Sequence, residues 1–213
     1  MLVTRIIAVR HGETDWNADT RIQGQTDIAL NQKGLWQAQR AAQALATGDT
    51  IDAIYSSDLA RAHATALCIG LASAVAVSTD DGLRERAFGR FEGHTFSELE
   101  AGWPHDTLRW RARDPNWSPP EGESLLAFRQ RVVAATQTLA ERHRGELIVL
   151  VAHGGVLDIL YRAANRLAID APRTWTLGNA SINRLLWSSQ GLSMVGWSDS
   201  AHLADSAQDE TIP

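Results

Sequence analysis

The chain has one cysteine, one lysine, two tyrosines and no apolar run long enough to cross a membrane. Each scarcity excludes something. Cys68 alone forms neither an intrachain disulfide nor a multi-thiolate metal site, and it lies in the apolar run Thr65 to Leu71, where a thiol is a packing group. The opening residues Met1 to Val9 are interrupted by Arg5 and are too short for a secretory apolar region, so a cytoplasmic protein without membrane contact is expected. A net charge of -5 leaves no basic footprint for nucleic acid. Among the 20 basic residues only Lys33 is a lysine, so positive charge rests almost wholly on arginine, whose planar fork suits phosphate and carboxylate.

What is present reads as one domain. A chain of 213 residues, 44% of them hydrophobic, buries a substantial core. Leu2 to Val9 is β-branched and nearly all apolar, the pattern of a strand buried on both faces of a mainly parallel sheet, and Leu147 to Ala152 repeats it. Between them the pattern predicts a helix from Asn31 to Ala46, a strand Ala53 to Tyr55, a helix from Asp58 to Leu71 and a strand Val75 to Val77. Ser124 precedes an amphipathic helix, Leu125 to Arg144, closed by Gly145. Strands alternating with helices imply an α/β fold, a three-layer α/β/α sandwich. The segment from Leu83 to Pro120 breaks this rhythm with prolines and three tryptophans, and a small helical cap around residues 94–120 is expected there. Ser181 to Trp187 and Leu192 to Trp197 read as a hairpin, whose apolar edge suits either a homodimer contact or core packing. A polar, acidic tail is expected from Asp199.

Both buried strands stop at a His-Gly pair: Arg10-His11-Gly12 and His153-Gly154-Gly155. In open α/β sheets the ligand crevice lies beyond the carboxyl ends of the strands, so the two imidazoles are expected to converge. The glycines permit a sharp turn, and the helices that follow are expected to offer free N–H groups to an anion. Arg10 would hold a phosphate and discourage protonation of His11, leaving a ring nitrogen free to attack. Ser56-Ser57-Asp58-Leu59-Ala60-Arg61 opens a helix at a strand end and sends a second guanidinium to the same crevice. Glu85, in an arginine-flanked loop, suits protonation of a leaving alkoxide and later activation of water. A metal site is the competing explanation for His11, Glu85 and His153, and Arg10 and Arg61 argue against it because cations repel the occupant of a metal pocket. In the cap, Arg109, Arg111 and Arg113 either bind an acidic substrate or are neutralised by Asp106 and Asp114, while Trp103, Trp110 and Trp117 form either an apolar wall or cap packing.

Arg10-His11-Gly12-Glu13-Thr14-Asp15-Trp16-Asn17 is similar to the RHGExxWN signature of the histidine phosphatase (phosphoglycerate mutase-like) superfamily, branch 1. Further blocks resemble the family in its order: Gln23-Gly24, Ser56 to Ala62, Leu83-Arg84-Glu85, Gly122-Glu123-Ser124 and Val151 to Val156. The resemblance implies His11 as phosphorylated nucleophile, Arg10, Arg61 and His153 as the phosphate pocket, Glu85 as proton donor, and Asn17, Gln23, Gly24 and Gly154 among the substrate-binding residues. It implies no metal or organic cofactor, and a small phosphorylated substrate. Ala87-Phe88-Gly89-Arg90-Phe91 stands where the family's glycolytic mutases carry a tyrosine and a lysine-containing stretch, and Gly155-Val156 replaces their asparagine and serine. These departures favour a small phosphomonoesterase over the alternative, a cofactor-dependent phosphoglycerate mutase. An inactive phospho-ligand-binding module, the third reading, would have lost the nucleophile or the acid.

Overall fold

The computed structural model of the chain describes residues 2–48 and 50–204. Its strands, in chain order, are Thr4–Arg10 (β1), Ala53–Ser56 (β2), Val77–Thr79 (β3), Leu147–Ala152 (β4), Ile182–Ser188 (β5) and Gly191–Asp199 (β6). Its helices are Asp15–Ala18 (α1), Gln32–Ala46 (α2), Ala60–Ser73 (α3), Phe96–Gly102 (α4), Pro104–Arg111 (α5), Leu125–Arg142 (α6) and Gly154–Ala164 (α7).

The wholly apolar β4 is buried at every position, and it sits inside the sheet with β1 on one side and β2 on the other. The strand order is β3-β2-β4-β1-β5-β6, parallel from β3 through β1 and antiparallel where β5 and β6 extend the edge. Successive side chains of a strand point to opposite faces. Ile7 and Val9 of β1, with Val149 and Val151 of β4, therefore pack on Ala42 and Leu45 of α2 and Ala62, Ala66 and Ile69 of α3. Ile6, Ala8, Ile148 and Leu150 turn the other way, onto Phe128, Val132 and Leu139 of α6 and Val156, Leu157 and Leu160 of α7. The result is the expected three-layer α/β/α sandwich. Each fully buried aliphatic side chain here is worth about 1.5–3 kcal/mol over its exposed state, so these two apolar layers set the frame that holds the strand ends.

A third, smaller cluster stands apart from the sheet. Phe91, Leu99 and Trp117 pack with Ile22, Phe88, Trp103 and Trp110 under α4 and α5. Thr95 caps α4, with Glu98 closing the reciprocal capping box, and Pro104 starts α5 where a missing N–H costs nothing.

Several boundaries differ from the sequence reading for identifiable reasons. α3 begins at Ala60 and not at Asp58, because the Asp58 carboxylate accepts from Arg84 instead of capping the helix. Its other end runs to Ser73, where Ala74 turns left-handed (φ 57) and Val75 N bonds back to Gly70 O, which delays β3 to Val77. β1 starts at Thr4, since Leu2 and Val3 lie exposed. α6 stops at Arg142, with the carbonyls of Ala140 and His143 taken by the Thr4 hydroxyl. Within the expected tail, Ala201–Leu203 form a 3-10 turn docked on α2, where Arg40 donates to His202 O; the tail from 205 onward lies outside the described residues. Trp197 stands against Tyr161 and donates to Thr176 O, so its indole serves the fold. Among the described residues no helix is long and apolar enough to cross a membrane.

Candidate active site

The parallel strands β2, β4 and β1 end side by side, and each hands the chain to a polar residue: Ser57, His153 and His11. His11 N donates to Ala152 O (2.9 Å) and Ser57 N to Val151 O (3.0 Å), so the sheet ladder itself fixes where these side chains start. The His11 and His153 rings converge with centroids 5.2 Å apart. Arg10, His11, Asn17, Gln23, Gly24, Arg61 and Glu85 all line one cavity of about 350 Å³. His153 is fully buried behind it, and Gly154 opens α7 so close that a Cβ there would lie 3.5 Å from Arg10 Nε. The structure thus brings together, at or directly beside one cavity, the residues expected to form the phosphate site.

The tautomers follow from the partners. His11 Nδ1 lies 2.7 Å from Gly12 O; a carbonyl only accepts, so Nδ1 carries the proton and Nε2 keeps its lone pair. His153 Nε2 lies 2.8 Å from Ser57 Oγ, which already accepts from Leu59 N and has one proton to give. When the hydroxyl gives that proton to Nε2, Nδ1 carries an N–H. That Nδ1 has no partner in the protein although it is buried. Nor do the buried Nε atoms of Arg10 and Arg61, or Gln23 Oε1. Buried donors left without acceptors are costly, and the two guanidinium Nε groups, joined by His153 Nδ1 in that tautomer, suit an oxyanion.

Each guanidinium is held by carbonyls. Arg61 donates to Thr26 O (2.9 Å) and Gly24 O (2.7 Å), and Arg10 donates to Leu177 O. Asn179 ties the loop before β5 to the chain that follows β1 by donating to His11 O and Asn17 Oδ1. Burial, reinforced by Arg10 and Arg61, holds the His11 imidazole well below its ordinary value of 6.5. His153 is lowered likewise, by burial first and then by Arg61, His11 and Arg10. Burial also brings Arg10 down to about 10, which still leaves it charged at neutral pH. The sequence anticipated the direction for His11 from Arg10, but the larger cause, removal from water, needs the fold.

Only part of the N–H groups after each histidine is taken up within the protein. Gly12 N donates to Thr65 Oγ1, Glu13 N to Gln37 Oε1, and Gly155 N to Glu85 Oε2. The glycines also serve close approach: a Cβ on Gly12 would fall 2.2 Å from Gly34 O, where the loop presses on α2. Glu85 bridges the loop to α7, its other oxygen accepting from Arg86 N (2.8 Å). Among the described residues no group of three or more His, Cys, Asp or Glu side chains is gathered to hold a metal ion.

Beyond Glu85 a second cavity of about 530 Å³ opens toward α4, α5 and α7, and Glu85, Phe88 and Arg173 line both. The cap alternatives resolve unevenly. Arg109 pairs with Asp114, Arg111 with Glu100 and Arg113 with Asp158, so neutralisation is the rule, though by partners the sequence had not named for Arg111 and Arg113. Trp117 and Trp103 pack the lobe, while Trp110 both packs and lines the cavity. Ser57, Asn179 and Arg173 went unremarked as site residues. Ser57 stood in a motif block, whereas the other two come from the loop after α7 and carry no motif.

Known proteins place this geometry. A phosphoglycerate mutase-like protein of Arabidopsis thaliana is 37% identical over 203 residues, covering 94% of this chain and 87% of its own. A metal-independent phosphoserine phosphatase of the same plant is 36% identical over 205 residues, covering 95% and 84%. The solved structure of a mycobacterial glucosyl-3-phosphoglycerate phosphatase superposes with a TM-score of 0.83 at 32% identity, covering 93% of this chain and 100% of that one. Two of these relatives are named as phosphatases of small phosphorylated substrates. Residues 6–200 match the histidine phosphatase superfamily (branch 1), and the chain belongs to that family.

Proposed function

We propose that the protein is a phosphomonoesterase that hydrolyses small phosphorylated metabolites through a phosphohistidine on His11. The observation that carries this is the lone pair on His11 Nε2, fixed by the Gly12 carbonyl, on a residue that lines one cavity with Arg10 and Arg61 and stands against the buried His153 ring.

The substrate's phosphoryl oxygens take the Arg10, Arg61 and His153 N–H groups, which stabilise the charge of the transferring group. His11 Nε2 attacks phosphorus, the P–O bond to the alcohol breaks, and the departing oxygen takes the Glu85 carboxyl proton. A positioned acid of this kind is worth about 10²–10⁴-fold. The alcohol leaves through the larger cavity beside α4 and α5, which we infer act as a cap. Water then enters, gives a proton to the Glu85 carboxylate and attacks phosphorus. The P–N bond breaks, its electron pair returns to Nε2, and inorganic phosphate departs.

Incubation with a ³²P-labelled ester followed by alkaline quench is expected to trap an acid-labile, base-stable label, absent from His11→Ala. Turnover by His11→Ala would defeat the reading. Assay with 3-phosphoglycerate and a little 2,3-bisphosphoglycerate separates it from a mutase: free phosphate is expected, whereas accumulation of the 2-phospho isomer would replace the hydrolytic step.

A further inference from the structure

The cavity beyond Glu85 has an uneven charge balance. Two carboxylates and four guanidiniums face it: Glu85 and Asp158, and Arg86, Arg111, Arg113 and Arg173. Asp158 is answered twice, by Arg113 (2.9 Å) and by Arg162 of its own helix (2.9 Å), and Arg111 is answered by Glu100 (2.8 Å). Arg86 and Arg173 remain.

Arg86 is only 3% exposed, and among the described residues no carboxylate pairs with it directly, although Glu123 and Glu85 stand near enough to favour its charge. Its Nε donates to Glu123 O and its Nη2 to Trp117 O, both neutral carbonyls, and the guanidinium lies 5.4 Å over the Phe88 ring. Nη1 has no protein partner, and the side chain forms part of the cavity wall. A buried cation without a direct ion pair is expensive to keep, and burial outweighs the two carboxylates here, bringing Arg86 down to about 10. Such an arrangement is stable when the missing anion arrives with the ligand.

Arg173 is exposed, has no hydrogen-bond or ion-pair partner among the described residues, and lines both the phosphate cavity and this one. Its loop is nonetheless pinned on either side. Arg113 Nε donates to Ile169 O, and Trp175 stacks on Tyr161 at 4.0 Å with the Arg162 guanidinium over its ring. The side chain is thus free while its Cα is not. Phe88, Phe96, Trp110 and Phe128 supply the apolar surface between the charges. A volume of about 530 Å³ exceeds what a three-carbon alcohol fills.

We infer that Arg86 and Arg173 form an anion subsite for the leaving group, so that the preferred substrate is a phosphomonoester whose alcohol has a ring-sized body carrying a carboxylate. This rests on the phosphatase reading, for which the cavity is the leaving-group chamber. Arg173 is the specificity-determining residue of the two that substitution can probe without disturbing the core.

The test compares benzyl phosphate with 4-carboxybenzyl phosphate, whose leaving alcohols differ little in acidity but by one charge. The unmodified enzyme is expected to favour the carboxylated ester in kcat/KM by on the order of 10-fold, and Arg173→Ala to erase most of that ratio whatever it does to either ester alone. Arg173→Lys, which keeps the charge and loses the fork, is expected to fall between. Equal hydrolysis of the two esters by the unmodified enzyme, or a ratio unchanged in Arg173→Ala, overturns the subsite and leaves the phosphatase reading standing. No phosphate release from either ester defeats both together.

Discussion

The two cavities share three residues and are built in opposite ways. Around His11 the inner charged groups are buried and tied to the backbone: Arg61 by the carbonyls of Gly24 and Thr26, Arg10 by that of Leu177, His11 by that of Gly12. On the far side of Glu85 the wall comes from loops, the α4–α5 lobe, α6 and α7; Arg111 and Arg113 are paired with carboxylates of other elements, Arg86 is held by carbonyls, and Arg173 has no hydrogen-bond or ion-pair partner among the described residues. Preorganisation is what electrostatic catalysis requires, because donors fixed in advance need no reorganisation when charge develops. Recognition of a leaving group tolerates, and for release benefits from, a looser wall. The difference teaches which half of the site should be sensitive to single substitutions.

The sharpest contrast is expected at Arg61. Arg61→Gln removes a buried charge from the transferring phosphoryl group and should lower kcat/KM toward an unactivated ester by about 10²–10³-fold. Steady-state kinetics with a circular dichroism check of folding measures this, and a loss below tenfold would mean that the pocket is not organised around an anion.

The next largest effect should come from a single methyl group. A Cβ on Gly155 would stand 2.1 Å from Glu85 Oε1, so Gly155→Ala must displace the carboxylate that Gly155 N now holds. The expected cost is about 10–10²-fold in kcat, since misplacing an acid by an ångström forfeits much of its contribution. Alanine is the better helix former by about 0.5–1 kcal/mol, so urea stability should hold or rise while activity falls. Parallel losses of both would assign Gly155 to packing against Phe128 and not to Glu85.

That separation of backbone and side chain also explains how much the sequence disclosed. β4 was legible to the residue because six consecutive buried apolar positions end abruptly at His153, and α2 because Asn31 caps it by accepting from Gly34 N. The two histidines were legible as a pair because they end two adjacent buried strands. Arg173 and Asn179 were not: their roles depend on how the loop between α7 and β5 folds back over His11, and no periodicity encodes that. Arg86 was visible beside Glu85, yet only burial without a direct ion pair gives it meaning. That Gly12 N and Glu13 N are taken up was hidden for the same reason, since their partners Thr65 and Gln37 lie on α3 and α2.

Acidity offers a third probe of the same contrast. His11 and His153 are held well below 6.5 in the folded chain, by burial first, whereas unfolding returns them to about that value. Between the folded and unfolded values the unfolded chain binds more protons, so stability from these rings is complete above pH 6.5 and is lost as pH falls below it. The urea midpoint should therefore drop between pH 7.5 and 5.5, and drop less in His11→Asn/His153→Asn. An unchanged pH slope in the double variant would show that the rings titrate normally in the native state.

The smallest effect is expected at Arg111, and it bears on how the outer cavity should be read. Arg111 faces that cavity together with Arg86 and Arg173, so a count of cations alone would rank the three equally. But its guanidinium is half exposed, already paired with Glu100 at 2.8 Å, and lies 4.6 Å over the Phe96 ring. Water screens such a pair, and an anion drawn to Arg111 must compete with a carboxylate already in place. Arg111→Gln should thus change kcat/KM by less than about 3-fold for any ester, charged or neutral. A carboxylate-specific loss there as large as that of Arg173→Ala would mean that Glu100 yields its partner when substrate arrives, and that the lobe carrying both is part of the recognition surface.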